Sequence, residues 1–198
     1  MKGKLFVLSG PSGCGKSTVI SGVMKQYENL RFSVSATTRP IRPGETDGKD
    51  YYFVTKEAFL DMLQQGALLE HARYVDNYYG TPAAPVQKLL DDGFDVLLDI
   101  EPQGAMQVRA CREDAVLLFL APPSLKTLEA RLRGRGDTAP DLVEKRLKQA
   151  AWEFMQAEKY DYIIVNDELE TAVKEVLAVL TAEKCRTKER IALLKEDL

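Results

Sequence analysis

The segment Gly10-Pro-Ser-Gly-Cys-Gly15-Lys16-Ser17, directly after the apolar run Leu5–Leu8, limits what this chain can become more than any other stretch. It fits the phosphate-cradling pattern G-x-x-x-x-G-K-[ST], and it stands between a strand-like run and a helical pattern that begins at Lys16. Glycines let the backbone turn so tightly that successive N–H groups aim inward, and the N-terminus of the next helix adds its partial positive charge to the same hollow. An anionic polyphosphate is the occupant such a hollow predicts. Gly10, Pro11, Ser12, Gly13, Cys14, Gly15, Lys16, Ser17 and Thr18 therefore form the candidate cradle. Lys16 is expected to reach the outer phosphates as a point charge, and the Ser17 hydroxyl to ligate a bridging magnesium ion. Cys14, flanked by glycines, is expected to contribute only its backbone.

A chain of 198 residues with 45% hydrophobic content can bury one core and carry an inserted lobe. The formal net charge of −3 argues against a broad nucleic-acid footprint or a membrane-attracting basic face, so any anion site must be a local gathering of arginines. Cys14, Cys111 and Cys185 are odd in number and irregularly spaced, which argues against a disulfide framework or a zinc site and for a reducing, cytoplasmic setting. No apolar run reaches membrane-spanning length.

Near-continuous apolar runs at Leu5–Leu8, Phe94–Ile100, Ala115–Leu120 and Tyr162–Val165 predict strands buried on both faces, as in a parallel sheet. Helical patterns lie between and after them: Lys16–Tyr27, Pro102–Cys111, Ser124–Arg133, Asp141–Glu158 and Glu168–Glu183. The alternation predicts an α/β fold with a doubly wound parallel sheet. Leu169, Ala172, Val173, Val176, Leu177 and Leu180 keep helical spacing and predict a face packed on that sheet. Thr138 is expected to cap the long helix carrying Trp152, and the charged stretch Lys184–Leu198 to form a terminal helix. Residues 38–85 break the alternation with a turn-rich loop, a strand-like Tyr51–Val54, a helix over Lys56–Gln65 and strand-like Leu68–Tyr74 and Asn77–Tyr79. One domain over 1–198 is expected, with a core of 1–37 and 86–198, a helical lid over about 124–158 within it, and an inserted lobe at 38–85 that presents a second substrate.

Within the lobe, the run from Thr37 to Phe53 gathers Arg39, Arg42, Glu45, Tyr51 and Tyr52 around tightly turning residues. Arginine forks and tyrosine hydroxyls suit a compact anion, although the residues alone fit a solvated basic loop equally well. The run also resembles, position by position, the signature of guanylate kinases: threonines and an arginine, a further basic residue, an acidic residue, a glycine and Tyr-x-Phe. With the phosphate cradle, the similarity extends from Lys4 to about Leu180. By that resemblance, Ser35, Arg39, Arg42, Tyr51 and Tyr79 hold the phosphate of GMP, and Glu70, Thr81 and Glu101 read its guanine. The two glutamates make chemical sense, because guanine offers N1–H and an exocyclic amine to an ionised acceptor whereas adenine sets a bare lone pair against it. Glu101 stands where aspartate is commoner in that family, and Thr81 where serine is frequent. Asp99, closing the apolar strand, occupies the place of an acidic residue that orients magnesium, with a helix N-cap as the alternative.

Arg131, Arg135 and Arg146 form a second basic constellation, with Gly134 and Gly136 as a joint. If the helix persists to Gly134, Arg131 and Arg135 share a face that can fold over bound phosphates. The resemblance assigns these three arginines, with Lys16 and Arg39, to charge stabilisation in the closed state; Gly136-Asp137-Thr138 inverts the family's usual order. It also places Asn166 near the adenine of ATP. His71, the one histidine, is expected to be structural. The implied reaction is magnesium-dependent transfer of the γ-phosphoryl group from ATP to GMP or dGMP. Alternatives are a protein-binding scaffold, against which the intact Gly15-Lys16-Ser17 speaks, and a kinase for another acceptor, against which Glu70 and Tyr79-Gly-Thr81 speak. The sequence leaves the oligomeric state open.

Overall fold

The computed structural model describes residues 2–74, 76–134, 140–191 and 194–195. The chain begins with β1 (Leu5–Ser9), α1 (Lys16–Gln26), β2 (Leu30–Phe32), β3 (Ala36–Thr37), β4 (Tyr52–Phe53) and α2 (Lys56–Gln64). It continues with β5 (Leu68–Tyr74), β6 (Asn77–Pro82), α3 (Ala83–Asp91), β7 (Asp95–Asp99), α4 (Pro102–Cys111) and β8 (Val116–Ala121). Then come α5 (Leu125–Gly134), α6 (Pro140–Gln156), β9 (Tyr162–Val165), α7 (Leu169–Lys184) and α8 (Thr187–Arg190). Two compact units result: Met1–Ser9 with Asn29–Leu117, and Gly10–Glu28 with Leu118–Leu198.

In the first unit β7 lies between β2 and β1, parallel to both, with Leu5 opposite Val96 and Leu30 opposite Asp95. All of β1 and four residues of β7 are buried, which is why these segments read as unbroken apolar runs. Ser9 and Asp95 are the polar exceptions, and the Asp95 carboxylate accepts from the Lys4 backbone N–H at 2.8 Å. The same unit carries a mixed sheet in the order β4-β3-β6-β5. Its register places Thr37 opposite Phe53 and Tyr79, Ala72 opposite Tyr79, and Glu70 opposite Thr81. Because side chains alternate with a period of two, Thr37, Phe53, Glu70, Ala72, Tyr79 and Thr81 share one face. The other face carries Tyr78 and Gly80 and is covered by α2, whose Phe59 is fully buried and stacks on Tyr78 at 5.5 Å. Thr55 starts α2 by accepting the Ala58 N–H at 3.1 Å.

In the second unit β8 and β9 are parallel, from Leu118 opposite Tyr162 to Ala121 opposite Val165. α1 packs on α7 where Gly22 leaves room for Val173; a Cβ on Gly22 would come within 2.6 Å of that side chain. Leu128 and Leu132 of α5 form a small core with Val143 and Ala150 of α6. Ser124 caps α5 by accepting the Thr127 N–H at 3.0 Å.

The parallel strands and their helices form as expected, with particular differences. β9 is not buried on both faces: Ile163 is 56% and Val165 46% exposed, whereas Ile164 is buried. Leu169 lies outside the packed stripe of α7, which runs instead through Ala172, Val173, Val176, Val179 and Leu180. β6 extends to Pro82, and α3 occupies a stretch that the expected elements left blank. Of the expected terminal helix, α7 takes Lys184 and α8 takes Thr187–Arg190. The capping role of Thr138 and the Arg135–Gly136 part of the lid lie outside the described residues.

Candidate active site

The cradle belongs to the second unit. Gly15 is the N-cap of α1 with φ at 96°, a left-handed conformation that a residue with a Cβ adopts only under strain, and no side chain caps the helix there. The first-turn N–H groups of α1 are thus left for an anion. A Cβ on Gly15 would also collide with the side-chain amide of Asn166, and one on Gly10 with the carbonyl of Leu120. The Lys16 ammonium folds back to donate to the Gly10 carbonyl at 2.6 Å, which holds it across the loop. Ser17 and Thr18 are exposed, Lys16 is half-buried and Cys14 is fully buried. Cys14 takes part through its carbonyl, which accepts from the Asn166 amide at 2.7 Å.

Asn166 ties three pieces of this unit together. Its backbone N–H donates to Ala121 at the end of β8 at 2.7 Å, its side chain holds the cradle, and its carbonyl accepts from Arg131 of α5 at 2.9 Å. A cleft of about 430 Å³ opens here, lined by Gly13, Gly15, Thr18, Arg131, Asn166 and Asp167 among others. α5 does persist to Gly134. Arg146 is half-buried on α6, while Arg135 is outside the described residues. Asn166→Ala removes the tie to the Cys14 carbonyl and is expected to lower the thermal unfolding midpoint by about 2–4 °C, the loss of one buried hydrogen bond worth about 1 kcal/mol, which a thermal melt reads directly.

The remaining candidates belong to the first unit, where Glu70, Tyr79 and Thr81 share the face of the mixed sheet opposite α2. The Arg39 guanidinium makes a two-pronged contact with Glu45, Nη1 to Oε2 at 3.0 Å and Nη2 to Oε1 at 2.8 Å, and lies 5.4 Å from the Tyr51 ring and 5.6 Å from that of Phe53. Tyr51 meets Tyr79 edge-on at 6.1 Å. Glu45 also accepts the Arg42 backbone N–H at 2.8 Å, and its carboxyl is held below the usual range by the Arg39 bond first and this one second. Burial raises the Tyr51 hydroxyl above its ordinary value, with Tyr79 adding to the effect, so it stays a neutral donor at physiological pH. The Arg42 side chain is exposed, and the Ser35 carbonyl accepts the Tyr52 N–H at 2.9 Å. Glu45 has no role in the expected phosphate site, yet its carboxylate bonds both the Arg39 guanidinium and the Arg42 backbone; its signal is a carboxylate retained inside a run that collects arginines.

Glu70 is 7% exposed, and its Oε1 accepts from the Thr81 hydroxyl at 2.7 Å. Burial pushes this carboxyl above its ordinary range; bonds from Thr81 oppose the shift, and nearby Glu101 adds to it. A buried carboxylate with no cation paired to it among the described residues is a strong receptor for a neutral group carrying paired N–H donors. Glu101 is the exposed N-cap of α4, so the N-cap alternative for Asp99 does not hold; Asp99 is half-buried at the end of β7. The carboxylate of Glu70 rests on Gly104 of α4, where a Cβ would stand 2.6 Å from Oε2. Gly104 is a further residue missed in the sequence, because nothing near it in the chain signals that a side chain from β5 fills its space.

A glycine cradle opening a helix after a buried parallel strand defines a P-loop nucleotide-binding protein. Comparison with known proteins narrows this class. The family model described as Guanylate kinase matches residues 2–183. A guanylate kinase from Thermus thermophilus is 51% identical over 187 residues, 94% of this chain and 84% of the relative. One from Halalkalibacterium halodurans is 47% identical over 190 residues, 96% of this chain and 93% of the relative. The crystal structure of guanylate kinase from Anaplasma phagocytophilum superposes with a TM-score of 0.73 at 38% identity, covering 94% of this chain and 88% of that one. This chain belongs to the guanylate kinase family.

Proposed function

We propose that this chain transfers the γ-phosphoryl group of ATP to GMP or dGMP, giving ADP and GDP or dGDP. The observation that carries the reading is the face of the mixed sheet opposite α2, which buried Glu70, bonded to Thr81, shares with Tyr79, while Tyr79 in turn meets the Tyr51 ring against which Arg39 lies. Family membership over nearly the whole chain supports it. An acceptor pair for guanine N–H groups and a donor cluster for a phosphate, on one rigid surface, fit a guanine mononucleotide.

The transition state of phosphoryl transfer is loose, so the protein positions reactants and neutralises spreading charge rather than forming covalent bonds. Lys16 and the first-turn N–H groups of α1 bind the outer phosphates of ATP, and Arg131, Arg135 and Arg146 add positive charge as the lid closes. Ser35, Arg39, Arg42, Tyr51 and Tyr79 orient the GMP phosphate, whose own anionic oxygen is the nucleophile, so no side-chain base is required. Glu70, Thr81 and Glu101 hold the guanine. Asn166 fixes the cradle beside the adenine. The exposed Ser17 hydroxyl and the Asp99 carboxylate are hard oxygen donors of the kind magnesium takes alongside substrate phosphates. Bound with ATP, that ion would supply charge neutralisation at the β and γ phosphates. Three free cysteines fit a reducing, cytoplasmic setting. No described helix is long and apolar enough to cross a membrane. Residues 38–85 act as the acceptor lobe of a single catalytic domain whose core is 1–37 and 86–198.

The test is ADP release measured with GMP, dGMP, AMP, CMP and UMP as acceptors. Turnover confined to the two guanine nucleotides is expected; turnover best with another nucleotide, or none with any, overturns the proposal.

A further inference from the structure

On the reading that Glu70 contacts guanine, we propose that α4 governs guanine selectivity from behind the site, with Gly104 and Gln107 as positioning residues that fix where the Glu70 carboxylate stands. β5 is an edge strand of the mixed sheet, so the outward N–H and C=O of His71 have no strand to pair with. Gln107 takes both: its Oε1 accepts the His71 N–H at 3.0 Å, and its Nε2 donates to the His71 carbonyl at 2.9 Å. A side-chain amide thus stands in for one rung of a ladder, at the residue next to Glu70. One turn on, the Cys111 thiol lies 3.6 Å from the Leu69 carbonyl.

The rung matters because β5 is irregular at this point. Pairing shifts by one residue between Leu68 and Glu70, so a bulge at Leu69 immediately precedes the guanine contact. Bulged strands re-aim side chains, and a slip of one residue would turn Glu70 to the face covered by α2. Gln107 locks the register on the far side of the bulge. Gly104 then limits the side chain itself, since Glu70 occupies the space of the missing Cβ: an added methyl would stand 2.6 Å from Oε2, 3.3 Å from Cδ and 3.4 Å from Cγ. With Thr81 bonded to Oε1 on the other side, the carboxylate is held between a helix backbone and a hydroxyl. That restraint removes rotamer freedom that guanine binding would otherwise have to restrict, which is preorganisation.

The test uses the full chain and steady-state kinetics for GMP, IMP and ATP, IMP being a purine monophosphate without the 2-amino donor. Gly104→Ala favours the helix by propensity, so the fold is expected to survive. It should raise KM for GMP about tenfold or more and reduce the preference for GMP over IMP, with KM for ATP within about twofold. Made in a Glu70→Ala background, the same change should alter kcat/KM for GMP by less than about twofold, because no carboxylate remains to be displaced. Gln107→Met keeps length and volume but loses both bonds, and should raise KM for GMP about fivefold with ATP unaffected. The proposal is overturned if neither variant moves KM for GMP while Glu70→Ala lowers GMP use. It is equally overturned if Gly104→Ala costs as much in the Glu70→Ala background as in the native one, or if KM for ATP rises in step. If Glu70→Ala itself leaves GMP use unchanged, the assignment of Glu70 fails first and this inference falls with it.

Discussion

Lys16→Ala is expected to lower kcat on the order of 10³-fold while leaving the thermal unfolding midpoint within a few degrees of the native value. The ammonium is half-buried and bonded to the Gly10 carbonyl, a contact that shapes the loop but closes no core. Val19, Ile20 and Val23, which anchor α1, are buried independently of it. On the proposed mechanism its charge serves ligand phosphates, so deletion removes transition-state stabilisation that the α1 N-terminus alone does not replace. Single-turnover kinetics with saturating ATP and GMP would measure the loss directly, and circular dichroism would follow the fold. Native turnover in the variant would remove the cradle from the mechanism. A collapsed melting temperature would instead make Lys16 a structural residue.

Local chemistry made the cradle legible: glycines, lysine and serine in fixed spacing after an apolar run reproduce the observed loop, because the needed backbone geometry belongs to those residues themselves. Strands buried on both faces were equally plain, since β1 and β7 have no polar alternation to obscure them. β9 misled for a physical reason. An apolar run reports β-propensity, and Ile163 and Val165 keep that character although one face is bare. β3 has only two residues, Ala36 and Thr37, and exists through its partners in β4 and β6 rather than through its own pattern. Non-local pairing also hid the framework around Glu70. That Glu70 would face Thr81 just past a bulge, and rest on Gly104 far along the chain, depends on register and helix placement. Arg39 stood out within a run of arginines and tyrosines, yet its two-pronged hold on Glu45 depends on how the loop turns, which spacing alone does not give.

Glu70→Gln is expected to lower kcat/KM for GMP about 10²-fold or more, since bonds to a charged acceptor are worth about 1.5–3 kcal/mol each and the new amide sets a donor against guanine donors. The same change is expected to stabilise the empty protein. Burial holds the Glu70 carboxyl above its ordinary range, so the folded chain binds that proton more tightly than the unfolded one does. Its favourable contribution is complete below the unfolded value and disappears as pH rises through the raised folded value, where a charge must be kept out of water. Glutamine carries no such charge. The variant's melting temperature should therefore exceed the native one at pH 8, with the gain shrinking toward pH 4, where Glu70 is protonated folded or unfolded. GMP binding runs the other way, because only the ionised carboxylate offers acceptors to both guanine donors. Acidification through the raised value should increase KM for GMP in the native enzyme. In Glu70→Gln only the slope from the GMP phosphate's own ionisation should remain. Thermal melts and GMP kinetics across pH 4 to 8 on both proteins read the two signs together. A variant that is no more stable at pH 8 would mean that Glu70 is not a strained charge, and one that keeps the native pH dependence of KM would mean that it is not the guanine contact.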